Sequence, residues 1–418
     1  MFLHARTAAA ATALACALAL AGAATAGAST VYRYEGGGKV VAREDPTLPS
    51  RAATEPPAPP ALAPPACPAP ACPPRLHAAL SAVKRAIALA RSRHQITAAQ
   101  ANRYSAAFSK ARHARVGLSG SARSELSNVI STLEDIAASH RLTASRMPAL
   151  FLQLRRNTEF WSAGGYVPYG ARVTFPHSYL IFEHYTGQGL QIQPLANFGK
   201  ANGLYLACTS GSPDCSRSAL RKLLDELVAI HSTRRGFPTW EYWFHFGGGA
   251  PPWTSGMADA TGIQALARGS TYLHVKPYMS LARSALRVFD RLAPTGVRIH
   301  GLAPDSAHYL LYSFDTHQLV LNAFAQTLNG LYDFYLLAGH DEHALRLFQE
   351  GDRSMRLEMP RYDTGSWTRY SLGGPEASLD YQRLTVQVLS HLCARSHIDF
   401  YCRYAKRFKG YLKNRTGG

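Results

Sequence analysis

Between residues 75 and 157 the apolar positions fall three and four apart. Leu76, Leu80, Val83 and Ile87 make one stripe, in an amphipathic stretch that runs on to Leu89, and Leu126, Val129, Ile130, Leu133 and Ile136 make another. That spacing puts each set on one face of a helix. A break at His94-Gln95 divides the stretch, with Thr97 placed to cap the next helix and Ser119 or Ser121 to open a third. Residues 75–157 are therefore expected to be three or four packed helices, their lysines and arginines forming a solvated face.

From Trp161 onward the texture changes. Helical periods over 216–230, 257–273, 279–293, 318–338, 343–358 and 384–394 alternate with loops rich in glycine, proline and aromatic residues. A short strand pair is expected around 165–182. Helix pairs joined by such loops predict a mainly all-α protein, its last domain (158–415) being an α/α toroid with an open cleft.

The two ends of the remaining sequence read differently. Residues 1–28 begin with His4 and Arg6, continue through an uncharged small and apolar run from Thr7 to Ala21, and finish in small-x-small sites at Ala24-Thr25-Ala26 and Ala26-Gly27-Ala28. This is the pattern of a secretory signal, with no stable membrane insertion once it is removed. Residues 29–74 are read as a linker, since proline and alanine crowd 46–74 and a polyproline II spacer is the form open to such a tract. No other stretch holds the roughly 18 consecutive apolar residues that a membrane span needs.

Composition adds an export context and a charge. Beyond Cys16 lie six cysteines in three close pairs, Cys67 and Cys72, Cys208 and Cys215, Cys393 and Cys402. An even set in an exported chain favours disulfides, and three local bridges are the simplest of the pairings open to it. The spacing fits no zinc site. The formal charge is +18. Such a charge draws polyanions, and an exported protein is expected to meet acidic glycans or anionic cell-wall polymers rather than nucleic acid. A homodimer is left open. No GxSxG elbow, HExxH helix or EF-hand loop is present, which argues against the commonest secreted hydrolases. GGGAPPW at 247–253 lacks the lysine of a phosphate cradle.

Four blocks carry more specific information: LQIQPLANFGKANGLYL at 190–206, PPWTSGMADATGIQALARG at 251–269, LYSFDTHQLVLNAFAQTLNGLYDFY at 311–335, and YDTGSWTRYSLG at 362–373 followed by LDYQRL at 379–384. In order and spacing they resemble the C-terminal domain of the D-glucuronyl C5-epimerases, over about the last 250 residues. The resemblance implies inversion at C5 of D-glucuronate within a polymer, heparosan being the type substrate, with no cofactor and no metal. Tyrosines are the family's proton-transfer groups, and by motif they fall on Tyr312, Tyr370 and Tyr381. Asn322 and Asp380 match substrate-contacting positions. Arg383, Arg369 and Lys200 are candidates to neutralise the substrate carboxylate, and Asp259 stands at a substrate position where the family has glutamine.

Other departures are Leu311, where an acid usually precedes the first tyrosine, and Gly373, basic in the animal enzymes. A phenol ionises near pH 10, so a cation close by is expected to lower it. His317 lies close in sequence to Tyr312, and Asp380 is also placed to cap a helix. Tyr332 and Tyr335 are expected in the core. A polysaccharide lyase would begin with the same C5 proton removal, and a non-catalytic glycan-binding protein would show the same charge and spacer.

Overall fold

The computed structural model describes residues 29–51 and 72–417. The signal-like segment and most of the Pro/Ala tract lie outside them.

The chain first forms an antiparallel hairpin, β1 (Ser29–Gly36) and β2 (Lys39–Asp45), in which Ser29 faces Asp45 and Tyr34 faces Val40. The linker expected over 29–74 is therefore corrected for its first part. Val31, Tyr32 and Tyr34 precede three glycines and Val40 and Val41 follow, a β-branched and aromatic pair of runs about a turn. β1 then pairs in parallel with β3 (Arg172–Thr174), and β4 (Phe182–Tyr185) and β5 (Gly189–Ile192) extend the sheet in the order β2-β1-β3-β4-β5. The strand pair expected near 165–182 is part of this five-stranded sheet.

Helices α1 (Cys72–Ser92), α2 (Ala98–Val116), α3 (Gly120–Ala138) and α4 (Met147–Ser162) pack into the bundle expected before Trp161. Thr97 caps α2 as a full capping box: its hydroxyl accepts from the Gln100 amide at 3.1 Å, and the Gln100 side chain accepts from the Thr97 amide at 2.8 Å. α4 runs beyond residue 157 because Phe160 and Trp161 are both buried. Glu125 of α3 ties bundle to sheet by accepting from the amides of Gly187 and Gly189 at 2.8 and 2.7 Å.

The remaining helices are α5 (Pro194–Thr209), α6 (Arg217–Ile230), α7 (Gly256–Leu273), α8 (Lys276–Ala285), α9 (Leu321–Leu337), α10 (Glu342–Tyr362), α11 (Leu379–Ser396) and α12 (Asp399–Thr416). α5, α7, α9 and α11 pack side by side, and each is backed by the helix that follows it. This is a row of helix hairpins, and the chain is mainly all-α as expected. α7 and α9 are buried on nearly every side. The helix expected over 279–293 starts earlier, with Pro277 in its first turn, and ends in a short 3-10 turn at Leu286–Val288. Short hairpins β6 (Ser232–Arg234) with β7 (Phe237–Thr239) and β8 (Arg298–His300) with β9 (Ala307–Tyr309) join the pairs.

The residues after β2 lie against α5. An added Cβ at Gly203 would stand 2.0 Å from the Thr47 carbonyl oxygen, so only glycine admits the chain there. Lys200 of α5 pairs with Asp45 at 2.8 Å. Disulfides join Cys208 to Cys215 and Cys393 to Cys402, as expected, while the Cys67–Cys72 pairing lies outside the described residues. Among the described residues no helix is long and apolar enough to cross a membrane.

Candidate active site

The apolar interior is divided. Most of it is one continuous core, but a second cluster gathers Tyr185, Tyr242, Phe244, Phe246, Trp253, Leu311, Tyr312 and Tyr370, with Phe314 and Tyr381 against it. All three tyrosines expected to carry proton transfer meet here.

Each is placed by a different device. Tyr312 follows β9 in a segment sewn to the start of α7, where the Ser313 amide donates to the Thr254 carbonyl at 3.0 Å and the Gly256 amide to that of Leu310 at 2.9 Å. Tyr370 sits in the loop between α10 and α11. Its amide donates to the Pro375 carbonyl at 2.9 Å, and its carbonyl accepts from Leu321 at the start of α9 at 3.1 Å. Tyr381 is the third residue of α11, whose cap is Ser378. Asp380 therefore does not cap this helix, but lies in its first turn.

The ring centroids of Tyr370 and Tyr381 are 4.9 Å apart, edge to face. Tyr312 lies 5.5 Å from Phe246, 5.8 Å from Trp253 and 5.5 Å from Phe314. The segment that forms this wall has every second residue aromatic: Trp240, Tyr242, Phe244 and Phe246. Tyr242 stacks on Trp253 at 4.1 Å and bonds to it through both backbones, at 2.8 and 3.3 Å.

The hydroxyls of Tyr312 and Tyr370 are buried, and neither meets a partner at hydrogen-bonding geometry. Each nevertheless feels the other. Burial pushes all three phenols above their ordinary range, and for Tyr312 and Tyr381 the neighbouring tyrosines add to the rise. The expectation that a cation lowers them is thus corrected: loss of water outweighs the field. At Tyr381 the charge opposing the rise is that of Arg51, a residue not foreseen.

The other candidates are scattered. Asn322 is buried in the first turn of α9. Asp380 and Arg383 form an exposed pair, 3.3 Å apart, on the surface of α11. Arg369 braces the loop of Tyr370 by donating to the Gly374 carbonyl at 2.8 Å. Lys200 is engaged by Asp45, away from the tyrosines' role, and His317 is exposed. Leu311 packs in the aromatic cluster, and Gly373 has a φ of 72°, a turn conformation that suits glycine rather than a basic residue.

Asp259 is the clearest correction. It is wholly buried in α7 and holds protein rather than substrate: its carboxylate accepts from the Thr254 hydroxyl at 2.6 Å, from the Thr239 hydroxyl at 2.9 Å and from the Trp240 amide at 3.3 Å. Burial pushes it up to about 7, against the pull of those donors.

A further polar group borders the cluster. Glu183 of β4 is buried between Arg172, at 3.6 Å, and Arg51, at 3.4 Å, and burial pushes it up to about 7 despite both. Arg51, Tyr169, Glu183, Tyr185 and Tyr242 were not foreseen as site residues. The aromatic alternation before Phe246 was a readable signal for the wall. Arg51 had none, since it stands 132 residues from Glu183.

A helical domain that gathers three tyrosines from separate loops, with two phenols kept from water and from partners, has the makings of a proton-transfer site. Residues 236–410 match the family described as D-glucuronyl C5-epimerase C-terminus. A D-glucuronyl C5-epimerase of Caenorhabditis elegans is 30% identical over 179 residues, which cover 38% of this chain and 29% of that protein. An uncharacterized protein of Methanocaldococcus jannaschii is 24% identical over 192 residues, 44% of this chain and 61% of that protein. The chain thus spans 29% and 61% of these two relatives. The structure of an endo-beta-1,4-glucanase CMCax from Acetobacter xylinum is similar at 12% identity and a TM-score of 0.35, over 51% of this chain and 71% of that one, a level that carries no inference.

Proposed function

We propose that the tyrosine cluster epimerises C5 of D-glucuronate residues in an acidic polysaccharide outside the cell. The observation that carries this reading is the meeting of Tyr312, Tyr370 and Tyr381 in one cluster with two hydroxyls left without partners. A buried polar atom without a partner destabilises the fold by roughly 1–3 kcal/mol, and a substrate group is the natural partner for it. The family match over 236–410 supports the reaction, and the disulfides and net charge are compatible with an extracellular polyanion as substrate.

In this reading a tyrosinate takes the C5 proton, and the C–H electron pair moves toward the carboxylate to give an enediolate. A second tyrosine on the other face gives its proton to C5, the pair returns to the C–H bond, and the two phenols exchange protonation states. Burial keeps these phenols protonated at neutral pH, so the acid half has its proton in place, and the strongly basic C5 carbanion can take it. The base half needs a phenolate, which a cation brought near on substrate binding would favour.

The test places the protein in D₂O with heparosan and a panel of other glucuronate polymers. Loss of the C5 proton signal in NMR, with no unsaturated-uronide absorbance and no exchange in Tyr370→Phe, is the expected result. New absorbance would make the protein a lyase. Silence on every polymer would overturn the enzymatic reading for those substrates and favour glycan binding.

A further inference from the structure

Beside the tyrosine cluster lies a cavity of about 270 Å³, lined by Arg51, Tyr169, Gly170, Arg172 and by Thr30 and Tyr32 of β1, among others. Every one of these residues lies outside 236–410, the part that matches the family. The cavity exists because the N-terminal hairpin joins the sheet.

Its arginine is held in a built seat. The strap from β2 is fixed by Asp45 on Lys200 and by Thr47 against Gly203. It is fixed again at Pro49, whose carbonyl accepts from Arg172 at 2.6 Å and from the Ser29 hydroxyl at 2.9 Å. Two residues on, the Arg51 guanidinium lies on Gly170, so close that an added Cβ there would fall 1.8 Å from its central carbon. It stands 4.8 Å over the Tyr169 ring and reaches Glu183 through Nε at 3.4 Å. Even so the Arg51 side chain keeps 41% of its surface exposed, and Tyr169 keeps 38%.

The charges decide the ligand class. The lining holds two guanidinium groups, those of Arg51 and Arg172, and no carboxylate; Glu183 lies behind them and Glu44 is bonded to Thr30 at the rim, at 2.7 Å. Guanidinium is the side chain best shaped for a carboxylate, and an exposed aromatic ring beside it offers the flat apolar face a sugar ring presents its C–H groups to. The cavity adjoins the tyrosines, since Tyr381 feels both Arg51 and Tyr169, and the Tyr169 ring lies 6.0 Å from that of Tyr185 within the cluster.

We infer that this cavity binds the carboxylate of a uronate in the substrate chain, with Arg51 as the anion's partner and Tyr169 as the face for the sugar ring. Its place in catalysis rests on the proposed function; the binding itself does not. The N-terminal hairpin is then part of the site, delivering the cation that the C-terminal segment leaves to it.

The test titrates the full chain with a size-defined glucuronate oligosaccharide and with the same oligosaccharide carboxyl-reduced to glucose, by calorimetry, beside the D₂O exchange assay. Wild type should prefer the acidic ligand. Arg51→Ala should weaken it about tenfold or more and erase the preference, with Arg51→Lys partly restoring it. Tyr169→Ala should weaken both ligands about threefold or more. Gly170→Ala, which drives the guanidinium from its seat, should mimic Arg51→Ala while leaving the melting curve cooperative. Acidic-ligand binding within twofold of wild type in folded Arg51→Ala would overturn the proposal. Exchange by a wild type that shows no preference for the acidic ligand would overturn it and leave the tyrosine reading standing. Preferential binding without exchange would leave the cavity standing and remove the tyrosine reading.

Discussion

Tyr309 and Tyr312 stand three residues apart in one segment and enter different interiors. Tyr309 points into the main core and donates to the Leu347 carbonyl at 2.8 Å. Tyr312 enters the aromatic cluster, where its hydroxyl meets nothing at bonding geometry. Other hydroxyls sharpen the contrast, although Tyr242 of the cluster reaches Gln193 at 3.5 Å. In the main core the Tyr401 hydroxyl donates to Asp352 at 2.6 Å and that of Tyr362 to the Leu319 carbonyl at 3.0 Å. In the cluster the Tyr370 hydroxyl is as bare as that of Tyr312. Burial raises the phenols on both sides, so a raised pKa does not mark the site. The lack of partners does. Buried polar groups are normally paired, and leaving two bare in one place is a loss of stability that a structural role does not explain.

Two buried acids carry the same contrast between regions. Glu241 is met by Arg146 at 2.7 Å and Arg234 at 2.7 Å, and although burial works to raise it, their bonds and charges hold it below the usual carboxylate range. Asp259, beneath the aromatic wall, is met by hydroxyls and an amide, and burial prevails, pushing it up to about 7. Between its ordinary 3.8 and that value the folded protein keeps a proton that the unfolded chain has lost. Its contribution to stability is therefore complete below the ordinary pKa and disappears as pH rises through about 7, with a slope of up to roughly 1.4 kcal/mol per pH unit.

Asp259→Asn keeps the shape and removes the proton. Its melting temperature should fall less than that of wild type between pH 5 and pH 8, so that the variant gains on wild type as pH rises. Parallel melting curves across that range would show that Asp259 is ionised in the folded state and that the hydroxyls suffice to hold its charge.

Much of this was legible in the sequence, and what was not failed for identifiable reasons. The tyrosines lie in motifs whose spacing survives in one dimension, so they could be named before their meeting was seen. The helices of the central row have apolar periods because they are buried. α12 escaped notice because only Tyr401, Ala405 and Phe408 of its 18 residues are buried. Asp259 looked like a substrate contact because its neighbours in sequence do not include Thr239, 20 residues away, which closes it off. Arg51 follows a run that reads as linker, and its seat is made by Gly170 and Glu183, which only the sheet brings near. Pairing across a sheet leaves no periodic trace in the sequence of either partner.

The main-core hydroxyls can be removed one at a time. Tyr401→Phe deletes a bond to a carboxylate that Arg356 also holds, at 2.8 Å. Bonds to charged groups contribute about 1.5–3 kcal/mol, so chemical denaturation should show a loss in that range, with C5 exchange and oligosaccharide binding unchanged. A loss of exchange in this variant would mean that the two interiors are coupled through the helix row.

The smallest effect is also the sharpest comparison. Tyr309→Phe removes a neutral bond to the Leu347 carbonyl, which keeps its partner within α10, for a loss of about 1 kcal/mol. Tyr312→Phe removes an oxygen that has no partner to strand, so its stability should hold or rise, by about 1 kcal/mol at most, because a desolvation penalty goes with it. Measured side by side in the same denaturant, the two variants should move in opposite directions although they make the same change three residues apart. If Tyr312→Phe loses as much as Tyr309→Phe, its hydroxyl has a partner in solution, and the contrast between the two interiors is gone.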